Sequence, residues 1–277
     1  MRMERGRNAV VNALQNLPER AGLIPFVIAG DPTFDQSLQM LRILCDYADA
    51  IEIGIPYSDP LADGPAIQAG AARALAGGMN LARAMEMIAG VRSFSQVPII
   101  AFTYANPVYK TGYRKFLQGI GEAGADGVIV PDLPHEESQE LQGELARLDM
   151  AYVPLVSLTS GERATRIAKT ATGFVYCVST LGVTGERKNF AAQLPAFVEQ
   201  VKASSPVPVA VGFGVSRASQ VAELSGFADG VIVGSAFVKY AGMLAEAKGS
   251  GGTEVLDALR LFAGDLARAT NKGEKLD

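Results

Sequence analysis

The stretch AIEIGIPYSDPLADGP, residues 50–65, joins a short apolar run to a loop rich in proline and aspartate. Its first half is apolar at almost every position, which is typical of a parallel strand covered by helices on both faces. Seven further runs rich in valine and isoleucine are spread along the 277-residue chain. They are LIPFVIAG (23–30), VPIIAFTY (97–104), GVIVPD (127–132), AYVPLVSL (151–158), GFVYCVST (173–180), VPVAVGFG (207–214) and GVIVGSAF (230–237).

Amphipathic stretches separate these runs. Leu141, Leu145 and Leu148, for example, share one face of a helix. Two helical stretches, 66–78 and 81–94, follow the second strand, and another precedes the first. Eight strand–helix units in about 240 residues match a (β/α)8 barrel. The predicted fold class is therefore α/β, a (β/α)8 TIM barrel with an extra N-terminal helix and an extra helix after strand two. An open doubly wound sheet is the alternative.

The composition favours a single domain and argues against several classes of protein. No linker divides the chain, so we expect residues 1–277 to form a single barrel domain, with KGSGGT (248–253) as a loop. One histidine and two cysteines argue against multi-histidine metal centres and a disulfide framework. The net charge of -4, without a basic cluster, argues against nucleic-acid binding. With no apolar run near 18 residues and no signal peptide, we expect a cytoplasmic protein without membrane contact.

The second strand carries the strongest functional signal. Side chains alternate along a strand, so Glu52 points away from the face of Ile51 and Ile53 and into the barrel. Desolvation there would raise its pKa into the range useful for a general acid or base. The alternative is a structural carboxylate bonded to backbone N–H groups.

The loop after this strand adds two carboxylates. Asp63 lies far enough beyond Glu52 for the loop to fold back over the strand end, so both carboxylates would face one substrate. The alternative for Asp63 is an Asx-turn or a helix cap. Asp59 precedes a proline and is interpreted as a turn or surface residue.

Glycine-rich segments follow strands six, seven and eight. VGFGVS (211–216) and VGSAF (233–237) would let backbone N–H groups approach an anion, as in the phosphate site common to this architecture. The loop STLGVTGERKNF (179–190) is typical of a lid. On strand six, Tyr176 either places its hydroxyl beside Glu52 or packs in the core.

Two other signals are discounted. GIGEAG (119–124) matches a dinucleotide-binding fingerprint, but it lies at the end of a helix rather than after a strand. None of the eight apolar runs contains a lysine, which argues against a Schiff-base aldolase.

Seven motifs in order along the chain resemble the tryptophan synthase α subunit family. They are PFVIAGDP (25–32), IEIGIPYSDPLADGPAIQ (51–68), TYANP (103–107), VPDLP (130–134), GVTGER (182–187), GFGVS (212–216) and VGSAFV (233–238). The resemblance implies a (β/α)8 barrel and a lyase of tryptophan biosynthesis. The implied reaction is retro-aldol cleavage of indole-3-glycerol phosphate to indole and glyceraldehyde 3-phosphate. It also implies no cofactor in this chain, a pyridoxal-phosphate β subunit as partner, and an α2β2 heterotetramer.

The resemblance also implies roles for single residues. Glu52 matches the family's acid/base, Asp63 the carboxylate that holds the indole N–H, and Tyr176 the neighbouring tyrosine. Positions implied to bind substrate are Phe26, Thr184, Gly185, Phe213, Gly214, Gly234 and Ser235. Asp59 and the lid match surfaces that communicate with the β partner.

Two other functions fit parts of the pattern. One is another phosphate-binding barrel enzyme, such as a sugar-phosphate isomerase or epimerase, although the single histidine argues against it. The other is a non-catalytic subunit that only activates a partner. The presence of both Glu52 and Asp63 argues against this alternative, because a subunit without catalytic activity would not need them.

Overall fold

The computed structural model describes residues 5–178, 187–212 and 214–272, and only the backbone of residues 187–192. In this part of the chain, nine parallel strands form one sheet in the order β5-β4-β3-β2-β1-β9-β8-β7-β6. The strands are β1 (Gly22–Ile28), β2 (Ile51–Gly54), β3 (Ile99–Phe102), β4 (Gly127–Ile129), β5 (Ala151–Tyr152), β6 (Leu155–Ser157), β7 (Val175–Val178), β8 (Val209–Gly212) and β9 (Gly230–Val233).

The sheet closes where β5 meets β6. These two strands stand at opposite ends of the order, yet only Val153 and Pro154 separate them along the chain. Val153 donates its N–H to Val128 on one side, and the Pro154 carbonyl accepts the N–H of Tyr176 on the other. β5 and β6 are therefore two halves of one strand position, and the nine segments form an eight-stranded barrel. The predicted fold is confirmed.

Helices surround the described barrel. They are α1 (Arg7–Gln15), α2 (Phe34–Cys45), α3 (Pro65–Ala76), α4 (Leu81–Arg92), α5 (Ala105–Thr111), α6 (Tyr113–Ala123), α7 (Gln139–Arg147), α8 (Arg163–Ala168), α9 (Arg187–Ser204), α10 (Ala218–Ser225), α11 (Ser235–Glu246) and α12 (Gly251–Arg268), with short 3-10 helices at His135–Glu137 and Leu158–Ser160. Within the described ranges, no helix is both long and apolar enough to span a bilayer.

The extra helices expected before β1 and after β2 are present as α1 and as the pair α3 and α4. Two more helices, α5 and α11, were not expected from the sequence. The first N–H of α5, from Ala105, is accepted by the side chain of Asp132, which lies 27 residues further along the chain. A cap supplied from so far away leaves no local sequence signal. The discounted GIGEAG segment ends α6, with Gly124 in the left-handed conformation that closes helices.

Three aspartates tie the amino-terminal ends of the strands together. Asp49, Asp126 and Asp229 each lie just before a strand and accept a backbone N–H from the neighbouring strand position. Each also pairs with a cation: Arg20 with Asp49, Arg5 and Arg92 with Asp126, and Lys202 with Asp229.

Asp126 and Asp229 lie in the same sequence, ADGVIV, which occurs at 125–130 and again at 228–233. Asp126 is the most buried of the three aspartates, with four donors on its two oxygens, at 2.7–2.9 Å. This end of the barrel is thus fixed by charge-assisted hydrogen bonds, which leaves the opposite end free for chemistry.

Replacing Asp126 by alanine should destabilise the protein without altering the other end of the barrel. The change leaves two arginines and two backbone N–H groups without their acceptor. Breaking such a buried pair costs about 3 kcal/mol or more. Urea unfolding measures the loss. Asp46→Ala is the control, because Asp46 forms an exposed 3.5 Å pair with Arg260 that is worth about 1 kcal/mol or less. Equal losses in the two variants would contradict the role assigned to Asp126.

Candidate active site

A cavity of about 510 Å³ opens at the carboxyl ends of the strands. Seven residues predicted from the sequence to form the site line it: Phe26, Glu52, Asp63, Tyr176, Gly214, Gly234 and Ser235. Asp59 is exposed and is absent from the lining. Thr184, Gly185 and Phe213 lie outside the described residues, so their predicted roles stay predictions.

Glu52 projects from the middle of β2 into this cavity. Its neighbours across the sheet are the apolar residues Phe26 on β1 and Ile100 on β3. Only 1% of the residue is exposed, and its Oε1 has no hydrogen-bond partner in the part of the chain that the structure describes. Desolvation raises the pKa of Glu52 to about 8. The side chain therefore carries a proton near neutral pH and can donate it.

Asp63 approaches the same cavity from the loop between β2 and α3. The helix cap is Gly64 rather than Asp63, and Pro65 occupies the first turn, so the carboxylate is not used to cap the helix. Burial raises the pKa of Asp63 to about 6, against a smaller opposite effect from a hydrogen bond with Tyr104. Near pH 7, Asp63 is mostly ionised while Glu52 is mostly protonated. The two carboxyl groups thus have different protonation states at one pH.

Tyr176 lies on β7 and lines the cavity, and only 4% of it is exposed. Burial, Glu52 and Asp63 together raise the pKa of its phenol well above 10, so the hydroxyl stays neutral. Gly212 on the adjacent strand makes room for it, since a Cβ there would lie 2.5 Å from the Tyr176 hydroxyl oxygen. The structure therefore favours the cavity-facing interpretation of Tyr176 over ordinary core packing.

The walls between these polar groups are apolar. The Phe26 and Phe102 rings meet edge to face, with centroids 5.3 Å apart. Ile67 and Ile232 complete this part of the lining. These side chains form an apolar surface that suits an aromatic ligand.

Small residues and one cation form the other side of the cavity. Gly214 has φ +78°, a conformation that favours glycine. Gly234 and Ser235 begin α11, where backbone N–H groups have no intrahelical partner. Lys239 follows on the same helix and is the only cationic side chain among the described lining residues. This side is suited to an anion.

Sequence reasoning missed Tyr104, Phe102 and Lys239. Tyr104 and Phe102 fall within the quoted run VPIIAFTY, but without a partner in view they resemble any other core aromatics. Lys239 lies just beyond VGSAFV, on a helix that was not expected. In the described ranges, no three histidine, cysteine, aspartate or glutamate side chains are grouped to hold a metal ion.

The chain is similar in sequence to proteins of one family. The family model described as "Tryptophan synthase alpha chain" matches residues 13–270. The tryptophan synthase alpha chain of Shouchella clausii is 49% identical over 226 residues, covering 81% of this chain and 84% of that relative.

Two solved structures show the same architecture. Tryptophan synthase subunit alpha from Legionella pneumophila superposes with a TM-score of 0.82 at 32% identity, covering 97% of this chain and 99% of the other. A chain of the tryptophan synthase α2β2 complex from Pyrococcus furiosus gives 0.77 at 36% identity, covering 90% of this chain and 98% of the other.

Glu52→Gln should stabilise the protein, and by more at pH 8 than at pH 5. In the unfolded chain Glu52 has its ordinary pKa of 4.5, whereas burial in the folded chain raises that pKa to about 8. Wild-type stability therefore falls as pH rises through this window, and glutamine removes that dependence. We expect a difference of a few kcal/mol at pH 8, measured by urea unfolding.

Glu86→Gln, on the exposed side of α4, is the control for removing a surface carboxyl. A stability difference between Glu52→Gln and wild type that is the same at pH 5 and pH 8 would contradict the proposed cost of burying Glu52.

Proposed function

Because this chain belongs to the tryptophan synthase alpha chain family, we propose that it cleaves indole-3-glycerol phosphate to indole and glyceraldehyde 3-phosphate. The observation that carries the proposal is the layout of the cavity. Two carboxyl groups of different proton affinity flank an apolar slot, and small residues with a lysine line its other side. That layout is complementary to an indole at one end of a substrate and a phosphate at the other.

Glu52 would act as both acid and base. Its carboxyl donates a proton to indole C3, which makes the ring an iminium that can accept electrons. The bond between C3 and the glycerol carbon then breaks, and its electron pair returns to the ring. The hydroxyl on that glycerol carbon gives its proton to Glu52 as the aldehyde forms. One proton leaves Glu52 and one returns, so the carboxyl is regenerated.

Asp63 would act electrostatically. The positive charge on the ring nitrogen exists only between protonation and bond cleavage, and an ionised carboxylate near the indole N–H stabilises it at that stage. This role requires the ionised form, which the pKa of about 6 leaves dominant at neutral pH. Tyr176, with its neutral hydroxyl beside Glu52, would orient the reacting groups.

The phosphate would bind at Gly185, Gly214, Gly234 and Ser235. From the family, Phe26 and Phe213 would contact the indole and Thr184 would orient the Asp63 carboxylate. Free N–H groups at the start of α11 suit an anion. Lys239 would add a positive charge on the same side of the cavity.

We propose a β-subunit partner as well. The relative from Pyrococcus furiosus comes from an α2β2 complex. In this chain Leu61 is 82% exposed and Tyr109 is 78% exposed, in the loop after β2 and on α5 after β3. Both elements follow neighbouring strands at the open end of the barrel, where an apolar surface would suit a partner. The expected assembly is α2β2 in the cytoplasm, with no cofactor in this chain and pyridoxal phosphate in the β subunit.

Purified protein given indole-3-glycerol phosphate should release indole, and more when β subunit is added. Glu52→Gln should lose at least about 10²-fold in kcat because the proton donor is gone, while substrate still binds. Asp63→Asn should also lose most of its turnover. Indole absorbance or fluorescence measures the rate, and Glu86→Gln should keep it. The proposal fails if wild type releases no indole with or without the β subunit.

The kcat/KM of the wild type should follow a bell with limbs near pH 6 and pH 8. Activity rises as Asp63 ionises above about 6 and falls as Glu52 loses its proton above about 8. Initial rates at low substrate concentration across pH 5–9 give the profile. A profile with no basic limb below pH 9 would contradict the assignment of Glu52 as the acid.

A further inference from the structure

Tyr104 connects the end of β3 to the loop that carries Asp63. Its ring is buried, with 3% of the residue exposed. The hydroxyl oxygen accepts the N–H of Ala62 at 3.2 Å, and the hydroxyl donates a hydrogen bond to the adjacent Asp63 carboxylate. One phenol thus contacts both the backbone and the functional group of the same loop.

The Tyr104 ring is itself held from two sides. Its neighbour Ala105 donates an N–H to the Asp132 carboxylate at 2.8 Å, which anchors the backbone to the segment after β4. Tyr57, in the loop after β2, packs against the ring with centroids 5.3 Å apart. The Tyr57 hydroxyl accepts a hydrogen bond from Asn106 at 2.8 Å. These contacts leave the Tyr104 hydroxyl little freedom to move away from Asp63.

We propose that Tyr104 is a positioning residue that holds the Asp63 carboxylate toward the cavity and keeps it ionised at neutral pH. This inference rests on the role of Asp63 in the proposed function. Burial and the Asp63 charge raise the pKa of the phenol above its ordinary value, so Tyr104 remains a donor throughout the working range. A neutral donor stabilises the charged form of an acceptor more than its protonated form.

Several other titratable groups face Asp63 in the described part of the chain. Glu52 faces it from β2 and Tyr176 from β7, and Asp132 lies behind Tyr104. Glu52 and Asp132 would oppose a negative charge on Asp63 when they are ionised. Lys239 lines the cavity from α11, but it is exposed and lies beside the small residues of the proposed phosphate side. A hydrogen bond from Tyr104 favours the ionised form of Asp63 and lowers its pKa.

Tyr104→Phe isolates the hydroxyl, because the ring and its packing remain. Ala62 is exposed, so its N–H can bond to water in the variant. Tyr57→Phe is the matched control: it removes the same atom from the tyrosine that packs against Tyr104 but does not bond to Asp63. Thermal unfolding shows that both variants are folded. The main measurement is the titration of the Asp63 carboxyl by ¹³C NMR of aspartate-labelled protein, with its signal assigned by its loss in Asp63→Asn.

We expect Tyr104→Phe to raise the Asp63 midpoint by about one pH unit, while Tyr57→Phe leaves it within about 0.3 units of wild type. The acid limb of kcat/KM should rise by the same amount in Tyr104→Phe, and its optimum should move to higher pH. An unmoved or lowered NMR midpoint in Tyr104→Phe, or an equal shift in Tyr57→Phe, would overturn the proposal. The NMR titration needs no turnover. If the wild type releases no indole, the proposed function is overturned, but the NMR result for the Tyr104 hydroxyl can still be read independently.

Discussion

The closed ring of parallel-strand hydrogen bonds is the constraint on which the rest of this molecule depends. The ring is completed at Val153 and Pro154, where a strand position is divided but its hydrogen bonds to both neighbours continue. Because all strands run in one direction, the amino and carboxyl ends of the barrel have different roles. Asp49, Asp126 and Asp229 fasten the amino ends, each by accepting an N–H from a neighbouring strand position. The cavity lies at the carboxyl ends.

That geometry also explains how one cavity holds carboxyl groups of different character. Glu52 lies on the strand itself, among apolar side chains, and loses nearly all its hydration. Asp63 lies on a loop at the rim, where it is half buried and receives a hydrogen bond from Tyr104. Depth in the barrel therefore separates their pKa values, which are about 8 for Glu52 and about 6 for Asp63. A reaction that needs a proton donor and a fixed negative charge at the same pH can use both.

The sequence predicted a large part of the cavity for a physical reason. Parity along a short strand fixes which side chains face inward, so alternation alone turns Glu52 into the barrel. Parallel strands bring their carboxyl ends to one edge, so Asp63, Gly214 and Gly234 were expected to converge. Tyr104 and Lys239 could not be placed in this way. A buried tyrosine becomes significant only when its hydroxyl is seen against Ala62 and Asp63, and Lys239 depends on the direction in which α11 leaves the barrel.

From the sequence alone, periodicity and local motifs, which are short-range properties, indicated the family, favoured the barrel over an open sheet, and predicted the strand residues that face the cavity. Tertiary structure alone decided the contacts that join distant segments. The Asp132 cap on α5 spans 27 residues, and the ADGVIV repeat has a meaning only when Asp126 and Asp229 are seen bonded to neighbouring strands. Tertiary structure also decided the pKa values of Glu52 and Asp63, because desolvation depends on everything that packs around a group.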